Sequence, residues 1–158
     1  MINQERQETI QKKLIELLGE KNHYLTKFVE LNENELMNFD DGYFDNVEPF
    51  YQAREKVLDI IRCIDALIDD EVCALGEISF DTVGDDVRSE IETLMKTKDS
   101  LAKRILSQDL KVLAAIEAEK SNIIRELQQT KDSRKLVRAY GTAHSNGPAA
   151  LGALAAPT

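Results

Sequence analysis

The residues best suited to bind a metal ion lie in the acidic stretch FDDGYFDNVE, residues 39–48. If Gly42 took the sixth position of a calcium-binding EF-hand loop, Glu48 would fall at the twelfth, where these loops place a bidentate glutamate. The first and third positions would then be Met37 and Phe39, and neither side chain offers an oxygen ligand. We therefore interpret this stretch as a tight connection between two helices and expect no metal site in the chain.

Side chains suited to acid–base or nucleophilic catalysis are few and scattered. The two histidines are His23 and His144, and neither belongs to a cluster of histidine, cysteine and carboxylate residues with ligand or catalytic spacing. The sequence contains no P-loop, no glycine motif for dinucleotides, no Cys-x-x-Cys, no His-Glu-x-x-His and no Gly-x-Ser-x-Gly. We expect no catalytic residue, no cofactor and no enzymatic activity.

One enzymatic alternative concerns a set of cations. Arg54 and the Ile64-Asp65 pair loosely resemble small helical chorismate mutases, in which several cations surround a dicarboxylate. The candidate cations would be Arg54, Arg62, Arg88 and Lys98. Their spacing does not place them on one shared face, and a net charge of −9 opposes the binding of a dianion. We therefore rank this alternative below a non-enzymatic function.

Composition favours long amphipathic helices with wide solvated faces. Charged residues make up 31% of the 158 residues, aromatic residues only 6%, and tryptophan is absent. This length predicts a single domain. The acidic balance repels phosphate backbones, so we expect no binding to nucleic acid.

Features that would direct the chain out of the cytoplasm are missing from the sequence. No run approaches the roughly 20 apolar residues that span a bilayer, and the N-terminal sequence has no apolar signal core. Cys63 and Cys73 would lie about 15 Å apart along one helix, beyond the reach of a disulfide. We therefore predict a cytoplasmic protein with free thiols and without direct membrane insertion.

The longest predicted helix lies in the C-terminal half of the chain. Residues 86–140 contain no glycine and no proline. Apolar residues recur there three and four positions apart, which places them on one side of an α-helix. The stripe consists of Val87, Ile91, Leu94, Leu101, Ile105, Val112, Ile116, Ile123 and Leu127. A helix of this length with so narrow a stripe requires other helices to pack against it.

The whole pattern predicts an all-α fold, an elongated antiparallel three-helix bundle with coiled-coil character. We expect one helical domain over 1–140, with helices at about 3–38, 46–74 and 85–140. Residues 141–158 are rich in Gly, Ala and Pro, so we predict a disordered tail.

The ends of the second helix carry capping signals. Asp45 and Glu48 have the pattern of a capping box, Gly76 is a candidate C-cap, and Asp85 is a candidate N-cap for the third helix. The second helix has the most regular heptads, so we expect it to be the most buried. The apolar linker 75–85 fits either a segment folded over the end of the bundle or an exposed docking site.

The stripe of the long helix is interrupted and widened. Lys98, Gln108 or Asp109, and Lys120 fall where an uninterrupted heptad seam requires apolar residues. An additional apolar row lies on an adjacent face and consists of Leu106, Leu110, Leu113 and Ile124. A wider face fits a helix with two partners, both within the bundle or one inside it and one outside.

Three stretches together resemble bacterial flagellar export chaperones of the FlgN/FliT kind. The first is KLIELLGEKNHYLTKFVELNENEL. The second is FDDGYFDNVEPFYQAREKVLDIIRCIDALI, with its Gly-Asp turn followed by a helix. The third is ILSQDLKVLAAIEAEKSNIIRELQQTKDSRKLVRAYG, which ends in a basic stretch and a tyrosine. The resemblance covers most of residues 12–141. The linker 75–85 and the tail have no counterpart in it.

The resemblance implies a cytoplasmic, non-enzymatic chaperone without a nucleotide of its own. Its partners would be amphipathic terminal helices of flagellar hook-associated, cap or filament subunits, which it delivers to a membrane protein of the type III export gate. An apolar groove on a long helix suits such a client. The candidate client-binding residues are Leu113, Ile116, Ile123, Ile124 and Leu127. The candidate export-gate contacts are Arg134, Arg138 and Tyr140.

Two questions stay open at this stage. The competing function is a homo-oligomeric coiled-coil adaptor or scaffold without an export role, and a homodimer is compatible with either function. Each apolar candidate also has a structural interpretation as part of the bundle core, and Tyr140 has one as a side chain that packs over a helix end.

Overall fold

The computed structural model describes residues 2–76 and 83–143, and it describes side chains within residues 4–76 and 83–141. Its elements are three α-helices: α1, Ile2–Asp40; α2, Val47–Gly76; and α3, Asp85–Ala143. Every regular element within the described ranges is helical. The predicted all-α three-helix bundle is therefore confirmed.

Contacts between the helices fix their relative directions. Lys13 and Lys21 of α1 pair with Glu71 and Asp65 of α2, with N–O distances of 3.4 and 2.6 Å. Because the later lysine meets the earlier carboxylate, α1 and α2 are antiparallel. The Asn22 side-chain amide of α1 donates to the carbonyl oxygen of Leu94 at 3.0 Å.

A second contact further along gives the direction of α3. The Gln108 amide donates to the carbonyl oxygen of Val29 at 3.3 Å. Residues later in α1 thus meet residues later in α3, so these two helices are parallel and α2 is antiparallel to both.

The chain forms two compact units. The first comprises Met1–Leu113, and the second comprises Ala114–Thr158. Helix α3 contributes to both, since it continues without interruption from Asp85 to Ala143. The prediction of one domain over 1–140 stays a prediction, and residues 144–158 of the predicted tail lie outside the described part of the chain.

The apolar core of the first unit includes a cluster from all three helices. Ile10, Leu14 and Leu18 of α1 and Leu75 of α2 are buried together, and partly buried side chains of α2 and α3 pack against them. Each such side chain stabilises the fold by about 1.5–3 kcal/mol on complete burial. Leu94 in this cluster comes from the predicted stripe of α3.

Burial is concentrated in α1, so the prediction that α2 is the most buried helix is wrong. The apolar row of α2 formed by Ile60 and Leu67 remains 39% and 46% exposed. Seven of the buried apolar side chains belong to α1: Ile10, Leu14, Leu17, Leu18, Phe28, Val29 and Phe39. Regular heptads show that a helix has an apolar stripe, but they do not show how completely the neighbouring helices cover that stripe.

Helix α1 ends in a glycine cap. Gly42 has a φ of 78°. Its N–H donates to the carbonyl oxygen of Phe39 at 3.0 Å, and the N–H of Tyr43 donates to that of Asn38 at 2.8 Å. These two bonds form a Schellman motif, in which a residue with positive φ closes the helix. The stretch predicted as a tight connection therefore contains a specific turn.

Both predicted N-caps are displaced by one residue. Helix α2 begins at Val47 and the N–H of Phe50 bonds to the carbonyl oxygen of Asn46, so Asn46 is the N-cap rather than Asp45. Helix α3 begins at Asp85 and the N–H of Arg88 bonds to the carbonyl oxygen of Gly84. Asp85 is instead in the first turn, where its negative charge stabilises the positive end of the helix dipole.

Candidate functional site

A polar layer crosses the core of the first unit between α1 and α3. Asn32 is completely buried, and its side-chain amide donates to Gln108 Oε1 at 3.2 Å and to Asp109 Oδ1 at 3.4 Å. Gln108 in turn donates to the carbonyl oxygen of Val29. The interruption of the apolar stripe at positions 108 and 109 thus marks an interhelical hydrogen-bond layer, because each buried amide needs a partner.

Arg54 of α2 completes this layer. Its Nη2 donates to Asp109 Oδ1 at 2.8 Å, and its side chain is 14% exposed. The guanidinium carbon lies 4.7 Å from the ring centre of Phe28 and 5.2 Å from that of Phe50. Arginine is suited to such a place because its planar group stacks on aromatic rings while its edge binds a carboxylate. The sequence did not indicate this interhelical role.

Three of the four cations proposed for a dicarboxylate site have carboxylate partners. Arg54 is paired with Asp109, and Arg62 lies 2.8 Å from Asp59. Lys98 Nζ lies 3.2 Å from an oxygen of Asp99. Arg54 is the least exposed of these cations, so its carboxylate partner would compete most strongly with a dianionic substrate.

Buried polar atoms without a partner are present near this layer. Glu35 is 2% exposed, and its Oε2 accepts a hydrogen bond from Asn46 Nδ2 at 3.1 Å. Its other oxygen, Oε1, has no hydrogen-bond partner, and neither does Oδ1 of Asn32 or of Asn22. In the described part of the chain, no group of three or more His, Cys, Asp or Glu side chains is arranged to hold a metal ion.

The candidate client-binding residues lie on α3, where most of them are exposed. In the first unit, Leu113 is 55% exposed. In the second unit, Ile124 and Leu127 are 61% and 62% exposed, Ile123 is also exposed, and Ile116 is half-buried. These side chains are therefore accessible to a partner, apart from part of Ile116.

The exposed apolar triad of the second unit is defined here as Ile123, Ile124 and Leu127. Every side chain from position 120 to position 140 is exposed, so the triad belongs to a fully solvated segment of helix. The side of this segment opposite Ile123 and Leu127 is polar and carries Arg125, Gln129 and Asp132, whereas Ser121 and Gln128 lie next to Ile124. The segment is thus amphipathic, and an amphipathic helix is stabilised by burial of its apolar side.

Other exposed apolar side chains of α3 extend this picture. Leu106 and Leu110 of the additional apolar row are 65% and 70% exposed in the first unit. Leu136 and Val137 of the second unit are exposed as well, and the sequence analysis did not single them out. They lie nine and ten residues after Leu127, away from the face that the apolar stripe follows, so the period of the stripe does not include them.

The candidate export-gate residues lie near the end of α3. Arg134, Arg138 and Tyr140 all lie in the exposed segment, and Tyr140 is 58% exposed. Helix α3 continues to Ala143, so Tyr140 lies at the start of its last turn. The structure thus presents two basic side chains and one aromatic side chain to solvent.

Comparison of the chain with protein-family models, with curated proteins and with solved structures yielded no match. No described helix combines the length and apolar character required to cross a membrane. Cys63 and Cys73 both lie on α2, and both are free and exposed thiols.

Proposed function

We propose that this protein is a cytoplasmic, non-enzymatic export chaperone for flagellar hook-associated, cap or filament subunits. It binds the amphipathic terminal helices of these subunits and delivers them to the type III export gate. The observation that carries the proposal is the exposed apolar triad Ile123, Ile124 and Leu127 in a solvated segment of α3. The resemblance of the sequence to flagellar export chaperones supplies the class of client.

The triad has the spacing that helix recognition requires. Residues three and four positions apart lie side by side on one face, so Ile123, Ile124 and Leu127 form a continuous apolar surface one turn long. An amphipathic client helix buries its own apolar face against such a surface. These side chains are 47–62% exposed, so their complete burial gives a gross stabilisation of about 3–5 kcal/mol, from which the cost of ordering the client is subtracted.

The delivery step is assigned to the end of α3. Arg134, Arg138 and Tyr140 combine positive charge with an exposed aromatic ring, a combination enriched in protein interfaces. We assign these residues to the contact with the export gate, separate from the client-binding triad.

The test of client binding uses peptides that correspond to the terminal helices of flagellar hook-associated, cap and filament subunits. Titration calorimetry measures their binding to the chain and to the double variant Leu113→Asp/Ile124→Asp. We expect the variant to lose about tenfold or more in affinity for the peptide that binds, since charged residues replace exposed apolar anchors. Both side chains are exposed, so circular dichroism should report unchanged helix content.

The matched control is Val72→Asp on α2, which alters an apolar side chain that is 50% exposed and lies outside the proposed surface. It should bind the peptide as the unaltered chain does. Full-strength binding by the double variant would place the client elsewhere, and failure of every peptide to bind would refute the export function.

Delivery is tested by deletion of residues 134–158. We expect this truncated chain to bind the client peptide normally and to lose binding to the cytoplasmic domain of the export gate. Loss of both activities would contradict the division between the triad and the helix end. Retention of gate binding would show that Arg134, Arg138 and Tyr140 do not make the contact.

A further inference from the structure

The exposed apolar triad lies between two lysines on the same face of α3. Positions 120, 124, 127 and 131 are four, three and four residues apart, a spacing that keeps side chains on one side of a helix. They are occupied by Lys120, Ile124, Leu127 and Lys131, and all four side chains are exposed. We call these four residues the lysine-flanked row. A helix that covers the triad along this row therefore meets a positive charge at each end.

The charges of the two lysines are not compensated by carboxylates. Neither Lys120 nor Lys131 belongs to an ion pair within the described part of the chain. The carboxylates on this side of the helix lie outside the row: Glu117 precedes Lys120 by three positions, and Glu119 and Glu126 lie along one edge. The row itself thus presents only apolar surface and positive charge.

We propose that the client helix carries carboxylates at both ends of its apolar row, so that this protein selects acidic amphipathic helices. This inference rests on the proposed function and adds the chemistry of the client. A client carboxylate opposite each lysine forms an ion pair beside the apolar contact, where the neighbouring side chains reduce solvent screening. The apolar residues then provide most of the affinity, and the ion pairs decide which helix binds.

The length of the row gives the spacing of the client's carboxylates. Lys120 and Lys131 are eleven residues apart, which corresponds to about 16 Å along the helix axis. Long helices that pack side by side cross at about 20°, so they remain adjacent over about three turns. The client therefore needs two Asp or Glu residues about eleven positions apart, with apolar residues between them.

The segment around the row differs in charge from the rest of the chain. Residues 120–140 contain six lysines and arginines and two carboxylates, a net charge of +4. The whole chain has a net charge of −9, so the residues outside this segment carry −13. An acidic helix is thus attracted to the segment that holds the triad and repelled by the remainder, which directs it to this face.

A second copy of this chain fits the row less well than an acidic helix does. In a parallel pair in register, Lys120 and Lys131 each lie beside their own counterparts. In an antiparallel pair centred on the triad, Lys120 lies beside Lys131 of the other copy. Both arrangements place cations together next to the apolar contact, where like charges repel each other.

An anionic membrane also fits the row less well. The apolar part of the row is only about one turn long, and helices that lie on membranes bury a longer apolar face. The net charge of −13 outside the segment opposes approach to anionic lipids. Lipid vesicles are nevertheless included in the experiment as a separate outcome.

The experiment compares two designed helical peptides of identical composition by titration calorimetry at low ionic strength. The acid-ended peptide carries an apolar row with Glu at both ends, eleven positions apart, and two Lys on its opposite side. The base-ended peptide has these Glu and Lys residues exchanged, so its net charge is the same. We expect the unaltered chain to bind the acid-ended peptide about tenfold more tightly, because only this peptide pairs with Lys120 and Lys131.

Charge reversal in the chain tests whether the two lysines cause this preference. Lys120→Glu/Lys131→Glu should reverse the preference, so that the base-ended peptide binds about tenfold more tightly. Both lysines are exposed, so circular dichroism should show unchanged helix content. The matched control is Arg125→Glu, which alters an exposed cation two residues from Leu127 and therefore off the row. It should retain the preference of the unaltered chain within about threefold.

Several results would overturn the proposal. Equal affinity of the unaltered chain for the two peptides, or a preference for the base-ended peptide, would exclude pairing with the lysines. Absence of binding by the acid-ended peptide at roughly 100 μM would exclude it as well. Binding to vesicles of phosphatidylserine and phosphatidylcholine that Lys120→Glu/Lys131→Glu abolishes, without a preference between the peptides, would assign the row to a lipid surface instead.

These outcomes are distinguishable from those that test the export function. A flagellar peptide that binds while the two designed peptides bind equally would leave the export function standing and refute the acidic client. A preference for the acid-ended peptide that the double variant reverses, with no flagellar peptide bound, would support the acidic helix and refute the export function.

Discussion

The ion pair between Arg54 and Asp109 joins α2 to α3 and provides a quantitative test of how the first unit is stabilised. Nη2 of Arg54 lies 2.8 Å from Oδ1 of Asp109, and the side chains are 14% and 32% exposed. The guanidinium also stacks on aromatic rings of α1 and α2. Arg54 therefore makes two kinds of interaction, whereas Asp109 adds only a second hydrogen bond, accepted from Asn32.

The expected free energies follow from these contacts. A hydrogen bond to a charged group contributes about 1.5–3 kcal/mol, and the one-third exposure of Asp109 favours the lower end of that range. Asp109→Ala should thus lower the free energy of unfolding by about 2 kcal/mol, because it leaves a mostly buried guanidinium without its counter-charge. Arg54→Met keeps an apolar stem but also loses the stacking, so we expect a loss of about 2–3 kcal/mol.

The assay is a double-mutant cycle by urea denaturation, followed by circular dichroism. The two single variants and the double variant give a coupling energy, which we expect to be about 1.5 kcal/mol. The matched control is the pair Arg62 and Asp59 on α2, which has the same 2.8 Å separation but side chains that are 66% and 68% exposed. Solvent screening should reduce its coupling energy to about 0.5 kcal/mol or less.

Two outcomes would refute this reasoning. Equal coupling energies for the two pairs would mean that burial does not decide the strength of the interhelical pair. A loss from Asp109→Ala clearly larger than that from Arg54→Met would mean that the stacking on Phe28 and Phe50 contributes nothing.

Three further predictions concern the helices themselves. Gly19→Ala should raise the free energy of unfolding by about 0.5–1 kcal/mol, because a Cβ at this helical position meets nothing within 4 Å. Gly42→Ala should lower the free energy of unfolding by about 1 kcal/mol because φ at this position is 78°, and Gly42→Asn should lower it by less. Thermal denaturation of these two variants and of Gly19→Ala checks the order of the three stabilities. A stabilising Gly42→Ala would contradict the glycine cap. Val112→Ala should cost about 2 kcal/mol at a side chain that is 1% exposed, whereas Leu110→Ala at 70% exposure should change stability by about 0.5 kcal/mol or less. Equal effects at positions 110 and 112 in urea denaturation would show that α3 buries a different face.

The sequence predicted the helices well because their signals are local. A long stretch without glycine or proline, with apolar residues three and four apart, has no regular alternative to a helix, and α3 begins at the predicted residue 85 and ends three residues beyond the predicted end. Caps were less predictable, because a side chain suited to capping at Asp45 or Asp85 does not say which carbonyl accepts the first helical hydrogen bond. Asn46 and Gly84 provide those carbonyls.

The interhelical role of the polar residues in the stripe could not be predicted from the neighbouring sequence. Gln108 and Asp109 appeared only as interruptions, since their partners Asn32 and Arg54 are on other helices, between 55 and 77 positions away. No periodicity connects residues at such separations. Their pairing depends on how the three helices are rotated about their axes.

The sequence by itself determined that this chain is helical, where its helices run, and which side chains could form an apolar face, because each of these depends on residues within a few turns. Tertiary structure decided which apolar faces are covered. Phe28 and Val112 are buried, whereas Ile124 and Leu127 remain in solvent, although all four carry the same kind of side chain in the same kind of pattern. Burial depends on the presence of a neighbouring helix, and only the folded chain specifies where those neighbours lie.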